Sequence, residues 1–280
     1  MSPKNLQGKV AVVTGAGGTL CSVMACDLAR RGAAVALLGR TESKLQRVAD
    51  RIINEGGRPM VCVADVTDEK ALADTRRRVH QAFGACDILI NGAGGNQADA
   101  ITATREFTPG ELEDPETRGF FNLDMSAFQR VIDANIMGTV KPCRIFGEDM
   151  ARKGKGVIIN FASMTSYRPL SRVGAYAAAK AGICNLTQWL ASYLAPAGIR
   201  VNAIAPGFFV NERSRKLLFT SDGGYSQRGE QVLQHTPMKQ FGDAEQLLGC
   251  LNWLIDDQAA GFVTGITVPV DGGFLSSPGL

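Results

Sequence analysis

Short apolar, β-branched runs alternate along this chain with longer stretches whose apolar residues recur at helical spacing. The runs predict strands at 9–14, 34–39, 59–64, 86–91, 156–162, 199–205 and 265–270. Helical periodicity predicts helices at roughly 18–31, 43–55, 68–82, 125–152, 174–196 and 243–256. This alternation predicts an α/β chain with a parallel sheet covered on both faces, because right-handed crossovers put helices there. Ligands of such sheets bind beyond the carboxyl ends of the strands. Thr14, Gly39, Arg40, Asp65, Asn91, Ser163, Pro206 and Gly207 all fall on that rim. No composition shift or internal repeat divides residues 1–280, so one domain is expected. Two long connections, 95–124 and 207–242, are expected to be ordered lids or binding loops.

Composition narrows the function. Hydrophobic residues at 45% and charged residues at 20% fit a globular chain and exclude wholesale disorder. A net charge of +3 calls for no polyanionic partner. The run Arg76-Arg77-Arg78 reads as a solvated helix face rather than a nucleic-acid patch. Seven cysteines, Cys21, Cys26, Cys62, Cys86, Cys143, Cys184 and Cys250, never form a CxxC pair. That suits reducing, cytoplasmic surroundings without a disulfide framework, and no metal site is expected. The N-terminus lacks a basic-then-apolar signal pattern. The uncharged run from Val10 to Cys26 is too short, and too broken by glycine, to span a membrane. Only two histidines, His80 and His235, are present, which argues against chemistry built on several of them.

The sharpest chemical signal is Tyr176-Ala-Ala-Ala-Lys180, with Ser163 thirteen residues before the tyrosine. Tyr and Lys four apart share one helix face. A neighbouring ammonium favours phenolate, so the phenol is expected to be lowered toward neutral pH and to work as an acid–base group. No G-x-S-x-G nucleophile elbow occurs, which argues against serine hydrolysis. At the first strand's end, VVTGAGGTLC keeps Gly15, Gly17 and Gly18. Thr19 and Cys21 stand where a dinucleotide-binding turn commonly has later glycines. Cys21 reads either as inert packing or as a thiol activated by the helix N-terminus.

Together these residues resemble the short-chain dehydrogenase/reductase family over about residues 8–275. The likeness rests on Thr14-Gly15, Asp65-Val66, Asn91-Gly-Ala-Gly94, Asn135 in DANIMGT, IINFAS ending at Ser163, Tyr176/Lys180, NAIAPG ending at Gly207, and TGITVPVDGG. It implies one doubly wound Rossmann-type domain with seven parallel strands, usually in a homodimer or homotetramer. It also implies a catalytic set. Ser163 would bond the substrate oxygen, Tyr176 would be the acid–base, and Lys180 would tune it and hold the nicotinamide ribose. Asn135 would kink its helix and anchor a water. Cofactor contacts would come from Gly15, Gly17, Gly18, Thr19, Leu20, Arg40, Asp65, Val66, Asn91, Ala93, Gly94, Tyr176, Lys180, Pro206, Gly207, Phe209 and Asn211.

The run VALLG39R40 carries arginine where many NAD-using members carry an acid. A guanidinium there suits a 2′-phosphate, so NADP(H) is the favoured cofactor and NAD(H) the open alternative. The long span from Gly94 to Asn135, the segment FFVNERSRKLL…HTPMKQFGD after Pro206-Gly207, and LINGAGGN and VPVDGGF are similar to the bacterial branch that reduces fructuronate to mannonate. A sugar acid needs a cation for its carboxylate and donors for its hydroxyls. Arg213, Arg168 and Arg172 are the candidate cations, with Asn96 and Gln97 for the hydroxyls. Another sugar, a polyol, a 3-oxoacyl thioester, and a non-catalytic nucleotide sensor remain the rival readings.

Overall fold

The computed structural model describes residues 6–114 and 116–277, with the side chains of Glu212 and Arg213 outside that description. Seven strands form one parallel sheet: β1 (Val10–Thr14), β2 (Ala34–Gly39), β3 (Arg58–Val63), β4 (Ile88–Asn91), β5 (Gly156–Phe161), β6 (Ile199–Pro206) and β7 (Thr267–Val270). Their order is β3-β2-β1-β4-β5-β6-β7, so the winding reverses between β1 and β4. That reversal opens a crevice at the strands' carboxyl ends. Every strand predicted from the sequence is present, with ends displaced by two residues at most.

Both faces of the sheet are buried, which is why its strands read as near-continuous apolar runs. Ala11, Val13, Val35, Leu37, Ile88 and Ile90 enter one layer, with α1 (Thr19–Arg30), α2 (Glu42–Asn54) and α9 (Leu248–Leu254). Val10, Val12, Ala36, Leu38 and Leu89 enter the other, with α3 (Glu69–Phe83) and α5 (Gly138–Lys153). Each fully buried Leu or Met, such as Leu28 or Met150, adds about 1.5–3 kcal/mol to the fold.

The helix expected over 125–152 is not continuous. It runs as α4 (Met125–Ile132), a π turn over Asp133–Met137, and then α5. The Asn135 side-chain amide donates to the Val131 carbonyl at 2.8 Å, and the Asn135 carbonyl accepts from the Thr139 hydroxyl at 2.8 Å. Those side-chain bonds sit at the bulge, as such devices do where a helix serves a site.

The two long connections differ. Residues 95–124 contain only the 3₁₀ turns Ala98–Ala100 and Pro109–Leu112 among the described residues. Residues 207–242 fold into α7 (Glu212–Leu218) and α8 (Gln227–His235), which the sequence had suggested only as a loop. Both helices are too short for periodicity to reveal. Ser226 caps α8 by accepting from the Gly229 N–H at 3.1 Å. Among the described residues no helix is long and apolar enough to cross a membrane, and no three His, Cys, Asp or Glu side chains group as metal ligands.

Candidate active site

The crevice is shaped first by backbone. The Thr14 hydroxyl accepts from the N–H groups of Gly92 and Ala93, each at 3.1 Å, and so ties the exits of β1 and β4 together. This stapling residue was visible in the sequence only as part of a rim. Gly15 turns the chain at φ +66°, and a Cβ there would lie 2.9 Å from the Gly92 carbonyl. Gly18 is the N-cap of α1 and offers no side-chain cap. The first-turn N–H groups of Thr19 and Leu20 therefore keep an anion-binding character, reinforced by the helix dipole. The residues present fit a dinucleotide's pyrophosphate.

Cys21 resolves the question its position raised. A Cβ on Gly92 would overlap the Cys21 sulfur, so thiol and glycine occupy one packed space. Burial pushes the thiol up to about 12, against the opposing charge of Lys180. At neutral pH it stays protonated, and the packing reading holds over the reactive one.

At the adenosine end, Arg40 is 79% exposed and lies 3.8 Å from the Asp65 carboxylate. An exposed pair at that distance contributes little to stability, which leaves the guanidinium available to a ligand. Asp65 accepts from the Thr67 N–H at 2.8 Å and from its hydroxyl at 2.7 Å. Partial burial alone would raise the Asp65 carboxyl. The Thr67 bonds and the charges of Arg40 and Lys141 outweigh it and hold the group below its ordinary value. Val66 packs against Gly138, where a Cβ would approach it to 2.8 Å.

The chemistry sits across the reversal. After β5, Ser163 opens a short 3₁₀ turn and accepts from the Thr165 N–H at 3.2 Å. Ser166 in the same turn donates to the Lys180 carbonyl at 2.8 Å, fastening the turn to α6 (Gly174–Leu194). Ala175 on α6 is fully buried with Ala127 and Val131, and Gly182 faces Ile136 where a Cβ would come within 2.9 Å. Small residues thus let α6 press onto the π turn. Tyr176 is hydrogen-bonded to Ser163. The Lys180 ammonium donates to the Phe161 carbonyl at 2.7 Å and lies 5.6 Å from the centre of the Tyr176 ring. Asn135 donates to the Gly95 carbonyl at 2.8 Å and accepts from its N–H at 3.1 Å. Gly94, at φ +151°, has no room for a Cβ beside the Asn135 amide. Ser163, Tyr176, Lys180 and Asn135 therefore gather in one place.

Their electrostatics differ from the sequence expectation. Burial pushes the Tyr176 phenol above its ordinary value, with the Ser163 hydrogen bond pulling the other way. Burial also pushes Lys180 down to about 8. Desolvation is the largest influence on both groups. At neutral pH the pair stands as phenol and ammonium, the state in which the phenol can give a proton.

Other candidates hold different posts. Asn91 turns its amide into the sheet, donating to Asn160 at 2.9 Å and to the Cys143 sulfur at 3.0 Å, so only its backbone borders the crevice. Asn96 accepts from the Gln97 N–H at 2.9 Å, and Arg130 takes the Gln97 amide oxygen at 3.0 Å. Gly207 donates to the Val270 carbonyl at 2.9 Å directly after Pro206, and Phe209 is buried against Gly242. The Asn211 side chain accepts from the Ser214 N–H at 2.9 Å and caps α7. Arg168 is drawn away to the Ser277 carbonyl. Arg172, at φ +75°, donates to the Thr102 carbonyl at 2.7 Å. The Arg213 side chain lies outside the described residues.

Comparison with known proteins gives the same picture. Residues 9–218 match the short chain dehydrogenase model. An uncharacterized oxidoreductase, UxuB, of Bacillus subtilis is 46% identical over 99% of this chain and 98% of its own. A crystal structure described as a "putative D-Mannonate oxidoreductase" from Haemophilus influenza, with bound NAD, superposes with a TM-score of 0.93 at 41% identity, over 99% and 98% of the two chains. A gluconate 5-dehydrogenase from Burkholderia cenocepacia, in complex with NADP and tartrate, superposes at 0.81 with 28% identity and 97% coverage of each chain. With its seven-stranded parallel sheet, its strand-exit crevice and these relatives, the chain belongs to the short-chain dehydrogenase family, as an oxidoreductase that acts on CH–OH groups with a nicotinamide cofactor.

Proposed function

We propose that this oxidoreductase reduces the ketone of a keto sugar acid of the fructuronate type to the secondary alcohol, reversibly, with NADP(H) favoured over NAD(H). The observation that carries the reading is the gathering of buried Ser163 and Lys180 with half-buried Tyr176 beside the Asn135 π turn. The substrate class is supported by the long connections over the rim and by likeness to a structure described as a mannonate oxidoreductase. The cofactor preference rests on exposed Arg40 at the end of β2, although that relative carries NAD.

The nicotinamide, when bound, supplies or accepts the hydride at the reacting carbon. Ser163 donates a hydrogen bond to the carbonyl oxygen and polarises it. Tyr176 passes its phenolic proton to that oxygen as the alcohol forms, and takes it back in oxidation. Lys180 holds a positive charge beside the phenolate left behind. Asn135, its amide spent on Gly95 and Val131, fixes the β4 exit, and its carbonyl would hold a water in the proton path. Arg40 would take the 2′-phosphate, Asp65 with Val66 the adenine, and Thr19 and Leu20 the pyrophosphate. Gly15, Gly17 and Gly18 keep the turn uncrowded, and Ala93, Gly94, Pro206, Gly207, Phe209 and Asn211 would border the nicotinamide.

The chain is also proposed to form a homo-oligomer through the exposed, stacked Trp189 and Tyr193 on α6. A single mass by light scattering equal to one chain would contradict that. The functional test is a spectrophotometric screen of NADPH and NADH oxidation with keto hexuronates, neutral ketoses and 3-oxoacyl thioesters. The reading expects the keto acids to lead with NADPH. Cofactor binding without turnover of any carbonyl compound would favour a nucleotide sensor instead.

A further inference from the structure

Three consecutive strand exits each send one arginine to the same patch of the rim. Arg105 comes from the connection after β4, Arg172 from the connection after β5, and Arg228 from α8 after β6. Their meeting is fixed by bonds between segments far apart in sequence. Arg172 donates to the Thr102 carbonyl at 2.7 Å, and the Thr102 N–H donates to the Arg172 carbonyl at 3.1 Å. Three residues on, Arg105 donates to the side-chain oxygen of Gln231 at 3.1 Å. Gln231 and Arg228, three apart on α8, share one helix face. Since β5 lies between β4 and β6 in the sheet, the Arg105–Gln231 bond bridges over the strand that delivers Ser163.

Like charges are costly to assemble without a counter-charge. Elsewhere on this surface arginines meet acids, as Arg118 meets Asp99 and Arg130 meets Asp124. Among the described residues none of Arg105, Arg172 and Arg228 has a carboxylate within ion-pairing distance. Partial burial, with the charges of Arg105 and Arg172, holds the Arg228 guanidinium below its ordinary value. Arg172 holds its place at φ +75°, a conformation an L side chain rarely adopts, and the neighbouring Thr102 bonds keep it there.

We propose that Arg105, Arg172 and Arg228 form the recognition site for the substrate's carboxylate, at the place where the Arg105–Gln231 bond joins the β4 and β6 connections. This rests on the keto sugar acid reading and assigns its charged end. A guanidinium fork matches a carboxylate in two parallel bonds, and binding energy at the end remote from the carbonyl orients the reacting carbon. Arg213, Arg168, Asn96 and Gln97, the candidates from sequence, are not needed for this assignment.

The experiment compares kcat/KM for fructuronate and for fructose, its neutral counterpart, in the intact protein and in Arg228→Gln and Arg105→Gln. Arg152→Gln on α5, which removes one surface charge elsewhere, is the control. The preference for the acid is expected to fall about tenfold or more in each cluster variant, the effect of losing one charge-assisted bond, and to stay level in the control. Thermal melting and cofactor affinity, read on the same variants, separate lost recognition from lost folding. If a variant fails to fold, chloride and acetate inhibition of the wild type against fructuronate, but not against fructose, carries the same test. A wild type that prefers the acid, with variants that keep that preference, overturns this assignment alone. A wild type that turns over fructose as well as fructuronate overturns the substrate class and this assignment together.

Discussion

At the β1–β3 end of the crevice, each candidate ligand group lies next to a strand: Gly15 one residue past β1, Arg40 one past β2, Asp65 two past β3. At the β4–β6 end, the arginines lie far out: Arg105 fourteen residues past β4, Arg172 eleven past β5, Arg228 twenty-two past β6. The first set is positioned by the sheet itself. The second is positioned by bonds such as Arg105–Gln231 that form only when long connections have folded. A site built on strand ends binds what the whole family binds, whereas one built on connections can be specific to one substrate.

The largest effect is expected where the two ends meet. Lys180→Ala removes the charge beside Tyr176 and leaves the Phe161 carbonyl without its donor. Turnover is expected to drop by about 10²-fold or more, with the melting temperature read alongside. Turnover near the wild-type value would break the link between crevice and chemistry. Next comes Arg40→Ala, which probes the strand-end set alone. The ratio of kcat/KM for NADPH over NADH is expected to fall by roughly 10- to 100-fold, as the loss of a charge-assisted phosphate contact implies. A protein that already prefers NADH, and keeps its constants in this variant, contradicts the assignment.

That contrast also sets what sequence could reveal. The strand periodicity, the Tyr176/Lys180 spacing and the glycines after β1 are local features, and they were legible. The Asn91 amide was not, because its partners Asn160 and Cys143 lie on other elements. Arg168 and Gln97 looked available in sequence, yet Ser277 and Arg130 hold them in the fold. α7 and α8 are short and polar, so no periodic signal exposed them. The phenol's direction was missed for another reason: spacing reports which groups share a helix face but not how deeply they are buried, and burial sets the direction here.

The pH profile sharpens the same point. Tyr176 is raised and Lys180 stands at about 8, so below that pH the proton-donating pair is intact. Ketone reduction is expected to hold through neutral pH and decline as the phenol ionises. Alcohol oxidation needs the ionised phenol, whose share grows up to tenfold per pH unit while the phenol stays mostly protonated, and that gain is expected to flatten above about pH 8 as Lys180 loses its charge. Initial rates in both directions across pH 6–10 check this, and an oxidation optimum below neutrality would contradict it.

A smaller effect is expected in the sheet. Asn160→Ala strips the Asn91 amide and the Thr187 hydroxyl of a buried partner, costing about 1–3 kcal/mol. The melting temperature should fall by roughly 2 °C or more, while cofactor preference holds. The smallest is at Cys21, where iodoacetamide is expected to leave the folded protein's activity unchanged, its thiol being buried and protonated. Rapid inactivation that Cys21→Ala abolishes would reverse that assignment.

The central claim is that the Tyr176 hydroxyl moves the proton while the crevice does the binding. Tyr176→Phe, assayed for ketone reduction and, by nucleotide fluorescence, for cofactor affinity, tests it most directly. Turnover is predicted to fall by about 10²- to 10⁴-fold with affinity retained. Turnover within a few fold of wild type would contradict the account.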